Sequence, residues 1–180
     1  VFGLNDFSVR LPSALLGTLT IGATYFLVEA LFANIGISLI AAFLLAISPW
    51  HLQFSRSAYE ANAAVFFLVA GMTLLIKAIQ QPRLYIWGFI SLAISIWTYH
   101  SSRIFIPLMV ISFIILYRQT IVKHKVKFAV GFIVLGIISL PLLLLSFSST
   151  GLVRARGVST LDDASLTRRN VSWRVTDIRE

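Results

Sequence analysis

The sequence predicts an all-α, polytopic transmembrane helix bundle of about six spans, followed by a polar tail. Composition is the first reason: 58% of the 180 residues are hydrophobic and 12% charged, and mean hydropathy is +0.88. Soluble domains carry roughly 45–50% apolar and about 25% charged residues. The second reason is that apolar residues gather in long runs separated by short polar segments. The third is that these runs lack the period-two alternation a membrane barrel needs. Helices are then the remaining way to satisfy backbone polar groups in hydrocarbon.

The first run covers residues 11–32. Leu11-Pro12-Ser13 puts a proline in what reads as the first helical turn, where its missing N–H costs nothing. Asp6 and Arg10 stand just before it. Residues 35–50 form the second run, after an uncharged turn. Residues 61–76, 84–99 and 104–117 follow; these three and the second run are short against the ~20 residues of a typical span, and 104–117 is near the length where a re-entrant or buried segment competes. Residues 128–147 close the series. Residues 1–147 are thus read as the membrane region. Residues 148–180 are read as the start of an extracytoplasmic loop, hinged at Ser148-Ser149-Thr150-Gly151. The chain opens on Val1 without a basic-then-apolar leader and is expected to be an internal stretch of a longer membrane protein.

Charge assigns the sides, because short loops rich in Lys and Arg stay cytoplasmic. Lys77, Arg83, Arg118, Lys123, Lys125 and Lys127 occupy two turns that alternate with those holding Arg56 and Arg103. The opposite side has only Arg10, Arg56 and Arg103 in its short segments, so it is expected to be extracytoplasmic. The net charge of +8 is scattered over loops rather than drawn into one stripe, which argues against nucleic acid as a partner. The absence of cysteine excludes disulfides and thiolate metal sites.

Two polar clusters interrupt the oily chain, and the topology brings both to one face. The first is Ser48-Pro49-Trp50-His51-Leu52-Gln53-Phe54-Ser55-Arg56, followed by Tyr59 and Glu60; the second is Trp97-Thr98-Tyr99-His100-Ser101-Ser102-Arg103. Ionisable residues at span ends are either snorkelling anchors or ligands. Arg56 and Arg103 could anchor at the interface, or offer guanidinium forks to phosphate oxygens. Trp50, Trp97 and Tyr99 suit an interfacial aromatic belt. His51 and His100 are not usual anchors; a neutral imidazole can donate to phosphate, relay a proton or bind metal. Two histidines on separate hairpins do not make a coordination set, so no metal site is predicted, and a divalent-metal cofactor has no support here. If the segment after Pro49 is helical, Arg56 and Glu60 are four apart and could pair on one face. In the tail, Asp162 and Asp163 read as solvated acids, Asn170-Val171-Ser172 has the form of a glycosylation sequon, and Arg154, Arg156, Arg168 and Arg169 as interfacial or solvated charges.

The ordered strings VRLPSALLGTLT, LLAISPWHLQFSRSAYEAN and IWTYHSSRIFIPL, with GLVRARGVS after the last run, resemble membrane glycosyltransferases of the dolichyl-phosphate-mannose protein mannosyltransferase type, of the GT-C fold class. The likeness covers about residues 2–157. It implies a multi-pass enzyme, expected in a prokaryotic plasma membrane. Such an enzyme moves a sugar from a polyprenyl-phosphate carrier to an acceptor hydroxyl of a protein, lipid or glycan on the extracytoplasmic face. In such enzymes the general base is an acid in the loop after the first span, which the order of elements puts upstream of Val1; Asp6 does not fill that role. The chemistry needs a base for the acceptor and positive charge for the departing lipid phosphate. Arg56 and Arg103 are the expected phosphate ligands, with His51, Tyr59, Glu60, Tyr99 and His100 lining the same pocket. The competing reading is a secondary transporter or lipid-linked-substrate flippase, which predicts ionisable groups and broken helices near the midplane. A structural subunit would leave the clusters unexplained.

Overall fold

The computed structural model describes residues 5–147, and all seven elements among them are helices: α1 (Asp6–Phe32), α2 (Ile35–Ile47), α3 (Pro49–Arg56), α4 (Glu60–Lys77), α5 (Leu84–Thr98), α6 (Ser102–Lys123) and α7 (Lys125–Phe147). The tail from Ser148, with Arg154, Arg156, Asp162, Asp163, Arg168, Arg169 and Asn170, lies outside the described residues. The described residues up to Ser139 form one compact unit; the described part of the second unit, residues 140–147, is helical and carries Pro141.

Each of the six apolar runs is helical. Four helices are long and apolar enough to cross a membrane alone: Phe7–Phe32, Glu60–Lys77, Ser102–Lys123 and Lys125–Leu142. The second run is broken instead: α2 and α3 meet at an angle of 59°, the geometry of a broken span or of a re-entrant loop. At 15 residues, α5 is roughly 22 Å long, against the ~30 Å of a hydrocarbon core. Against the six spans expected, the described residues thus hold four helices long enough to cross alone, five if the bent pair is one span, while α5 is a shorter apolar helix.

Local chemistry sets the boundaries. Asn5, rather than the residue before Pro12, caps α1: its side chain accepts from the Ser8 N–H and the Ser8 hydroxyl, both at 2.8 Å. Pro12 therefore lies inside the helix, not in its first turn. The α1–α2 turn is made by Ala33, left-handed at φ 50°, whose N–H reaches the Glu29 carbonyl at 2.8 Å. Asn34 then caps α2 through the Ile37 N–H at 3.1 Å. Pro49 sits at the start of α3, where no N–H is needed. Helix α6 is kinked at Tyr117 (φ −110°, ψ 19°), where its apolar run ends and Arg118 begins the basic segment.

The core lies along the α4–α5 seam. Helices in lipid gain little from hydrophobic burial against one another, so close approach depends on small residues and interhelical hydrogen bonds. Gly71 and Gly88 supply the approach: a Cβ on either would stand 3.1–3.2 Å from the other's carbonyl oxygen. The hydroxyls of Ser91 and Ser95 donate across the seam to the carbonyls of Phe67 (2.7 Å) and Ala64 (2.9 Å). Leu75, Tyr85, Phe89 and Leu92 are fully buried around it. Gly131 lets α7 approach Tyr85 and Phe89, where the rings of Phe128 and Phe132 meet them edge-on. Away from this seam many large apolar side chains of α1, α2, α6 and α7 are exposed, as lipid-facing surfaces must be. The chain is a multi-pass membrane protein.

Candidate functional site

The first polar cluster is held by α3 lying on α1. Gly17 makes this possible: a Cβ there would fall against Ser55 Oγ and 2.7 Å from Ser55 Cβ. Across that gap His51 Nε2 lies 3.0 Å from the Gly17 carbonyl. A carbonyl only accepts, so Nε2 carries the proton and donates, and Nδ1 is the ring nitrogen not used in this bond. Ser55 in turn donates to the His51 carbonyl at 2.7 Å.

One turn along α1, Ser13 joins three helices. Asn62 of α4, 4% exposed, donates from Nδ2 to the Ser13 carbonyl (2.7 Å) and to Ser13 Oγ (3.1 Å). Ser13 Oγ donates onward to the Phe54 carbonyl of α3 at 3.3 Å. Ser13 is thus an interhelical joint rather than a helix-start residue. None of Ser13, Gly17 and Asn62 is evident as a site residue from the clusters. The available signal was an asparagine within an otherwise apolar span, since polar groups in lipid seek partners across helices.

The second cluster is fixed by the α5–α6 corner. Tyr99 is extended (φ −143°, ψ 136°), and its N–H closes α5 on the Ser95 carbonyl. Buried Ser102 brings its hydroxyl to 3.1 Å from that of Ser95. Trp97 is more than a belt residue, because its indole N–H donates to the Ile138 carbonyl of α7 at 2.8 Å.

The two clusters meet at one end of the helices. Trp50, His51 and Phe54 from the first and Tyr99 from the second line one cavity of about 380 Å³, with Asn62 and Val65 in its α4 wall. Trp50 stacks on Phe54 (centroids 5.6 Å apart), and Phe54 packs on Tyr59 (5.2 Å). This gives an aromatic edge suited to an apolar chain, with His51, Asn62 and Tyr99 as polar residues in an otherwise mainly apolar lining. Arg56 lies elsewhere: with Val9, Arg10, Gln53, Ser57 and Ala58 it lines a second cavity of about 480 Å³. His100 is exposed, Arg103 is half-buried in the first turn of α6, and neither lines either cavity. Glu60 is exposed at the start of α4.

The Arg56–Glu60 pairing expected from a continuous helix does not form. Helix α3 stops at Arg56, and Ala58, left-handed at φ 49°, turns the chain before Glu60 opens α4. Among the described residues no three His, Cys, Asp or Glu side chains cluster as metal ligands. The opposite end of the α1–α4 contact holds an interfacial pair: Lys77 Nζ lies 3.8 Å from Glu29 and 4.8 Å above the Phe26 ring.

Comparisons with known proteins bear on the whole arrangement. The family model described as dolichyl-phosphate-mannose-protein mannosyltransferase matches residues 1–144. A Bacillus subtilis (strain 168) protein named "Putative mannosyltransferase YycA" is 28% identical over 148 residues, which is 82% of this chain and 21% of that protein. A second protein of the same organism, "Putative mannosyltransferase YkcB", is 29% identical over 144 residues, 78% of this chain and 20% of that protein. The chain therefore spans about a fifth of the length of these curated relatives. No solved structure matches it. With four-fifths of its residues inside the family match and its helices apolar enough to cross a membrane, the chain belongs to the dolichyl-phosphate-mannose-protein mannosyltransferase family.

Proposed function

We propose that this chain forms the donor-binding part of an integral membrane glycosyltransferase that moves a sugar from a polyprenyl-phosphate carrier to an acceptor hydroxyl on the extracytoplasmic face. The observation that carries the reading is the convergence of both polar clusters, through His51 and Tyr99, on one aromatic-edged cavity. Family membership supplies the reaction class. The excess of Lys and Arg in the alternate turns supports the extracytoplasmic side.

Transfer breaks the bond between the anomeric carbon and the carrier phosphate while the acceptor oxygen forms a new one. Charge accumulates on the departing phosphate, so cationic groups that meet it there lower the barrier. Arg56 and Arg103 are assigned to that phosphate. The edge formed by Trp50, Phe54 and Tyr59 is assigned to the isoprenoid next to it, and Tyr99 and the Nδ1 of His51 to the sugar. His100 and Glu60 stand at the rim. Among the described residues no carboxylate lines either cavity, and the acid that takes the acceptor proton is assigned to the rest of the full-length protein.

A transport reading would draw on the 59° break between α2 and α3. The test that separates the two uses the full-length protein in nanodiscs with radiolabelled mannose on a polyprenyl phosphate. Release of unlabelled polyprenyl phosphate together with label on an acceptor supports transfer. Passage of the intact lipid between leaflets of vesicles, with the sugar bond unbroken, would replace this reading with transport.

A further inference from the structure

The cavity where the clusters meet has a hydrogen-bond acceptor in its wall that the described residues leave unused. Asn62 is 4% exposed, and its amide has only one orientation. The Ser13 carbonyl, 2.7 Å away, can only accept, so the atom facing it is Nδ2. Ser13 Oγ spends its proton on the Phe54 carbonyl and accepts from the same Nδ2 at 3.1 Å. Both bonds hold the nitrogen, and Oδ1 is turned away from Ser13. Among the described residues nothing donates to Oδ1, and protein atoms do not close it off, so it faces the cavity of about 380 Å³ that Asn62 lines. Ser48 adds a second polar group: it precedes α3 as its N-cap, makes no side-chain cap bond, and lines the same cavity. A mainly apolar wall with a few fixed polar atoms is how small-molecule sites orient a ligand. An amide oxygen and a phosphate oxygen both only accept, so Oδ1 disfavours a phosphate and calls for a proton donor. In a lipid-linked sugar the hydroxyls of the sugar are those donors.

We infer that Asn62 reads the sugar of the lipid-linked donor, its Oδ1 accepting from one sugar hydroxyl while Ser13 holds the amide in place. The inference rests on the donor-transfer reading and deepens it: the cavity takes the sugar, and the phosphate lies outside it. The Ser13 joint gives the contact its precision, because an acceptor held by two bonds and by burial cannot swing to suit a different sugar. Asn62 is thus a specificity residue as well as a structural one.

The test pairs variants of the protein with variants of the sugar. Full-length protein in nanodiscs is given polyprenyl-phosphate mannose and the analogues that each lack one hydroxyl, and equilibrium binding is measured alongside transfer kinetics. The wild type should disfavour one analogue by roughly ten- to a hundredfold in Kd, the scale of a buried acceptor left without its donor. Asn62→Ala should bind the parent donor more weakly and lose that preference, while its penalties for the other analogues stay as in the wild type. Asn62→Leu, which fills the space of the amide with apolar atoms, should show the same loss and guards against collapse of the Asn62→Ala protein. Ser13→Ala weakens the same joint but leaves Oδ1 in the wall, so it should lower stability and retain the preference. A purely structural Asn62 would instead weaken every analogue alike. That pattern, or a wild type that rejects no single analogue, would overturn the inference, and transfer of the parent sugar would leave the enzyme reading intact. An Asn62-dependent preference in binding, with no sugar transferred, would overturn the transfer reading and keep the hydroxyl contact.

Discussion

Replacing Gly17 by alanine should lift α3 off α1. The added Cβ would stand 2.7 Å from Ser55 Cβ, well inside the 3.4–4 Å of ordinary contact, and against Ser55 Oγ. Overpacking of this kind costs about 1–3 kcal/mol. The displaced helix would also lose the His51 donation to the Gly17 carbonyl, worth about 0.6 kcal/mol on the average of interhelical bonds in membranes. A total of about 2 kcal/mol is expected, read as a shift in reversible unfolding by SDS in mixed micelles. Gly22→Ala is the internal control: nothing lies within 4 Å of its would-be Cβ. It should be neutral or stabilising by about 0.5–1 kcal/mol through helix propensity. Ser55→Gly removes both clashing atoms, so the double variant should recover part of the loss, with a coupling energy of about 1 kcal/mol or more. Equal stability of Gly17→Ala and Gly22→Ala, or purely additive losses with Ser55→Gly, would refute the seating of α3 on Gly17.

The other expectations concern the joints around that seat. Asn62→Ala and Ser13→Ala should each destabilise by about 1 kcal/mol, and together by less than their sum, because Asn62 donates to both oxygens of Ser13; the same SDS titration reads this, and full additivity would contradict it. Trp97→Phe should cost about 1 kcal/mol through its bond to Ile138. Trp50→Phe, with the indole 75% exposed, should change stability little. Glu29→Gln should shift stability by no more than about 0.5 kcal/mol, since both partners of the Lys77 pair are about 40% exposed. Because the chain has no cysteine, single cysteines introduced at Ser102 and Lys125 can be labelled by an impermeant reagent without background. They should report opposite sides of the membrane, and same-side labelling would defeat the alternating topology.

The helices were legible in the sequence because lipid demands long uninterrupted apolar runs, and those runs survive with little change at their ends. Residues 61–76, for instance, extend only to Glu60 and Lys77. The segment after Pro49, whose helicity the sequence left as a condition, is helix α3. Less visible was anything that depends on one helix meeting another. Gly17 and Ser13 look like ordinary small residues until α3 and Asn62 arrive from 34 to 49 positions away. The Arg56–Glu60 spacing was sound for a continuous helix, but Ala58 adopts a left-handed conformation that alanine does not advertise. Pro12 was misplaced because Asn5 offered a stronger cap one turn and a half earlier. Of the seven residues expected to share a pocket, His51 and Tyr99 do so and Tyr59 touches its wall through Phe54, whereas Arg56 faces a different space. Composition cannot distinguish the two sides of a short helix such as α3.

The most direct measurement is photolabelling of the full-length protein with a polyprenyl phosphate carrying a diazirine near the phosphate end of its chain, with the adducts mapped by mass spectrometry. Labels are expected on Trp50, Phe54, Tyr59 or Tyr99, lost when unlabelled polyprenyl phosphate competes and reduced by Arg56→Gln. Labels confined to other helices, or adducts at these aromatics that excess polyprenyl phosphate does not displace, would contradict the convergence of the two clusters on the donor lipid.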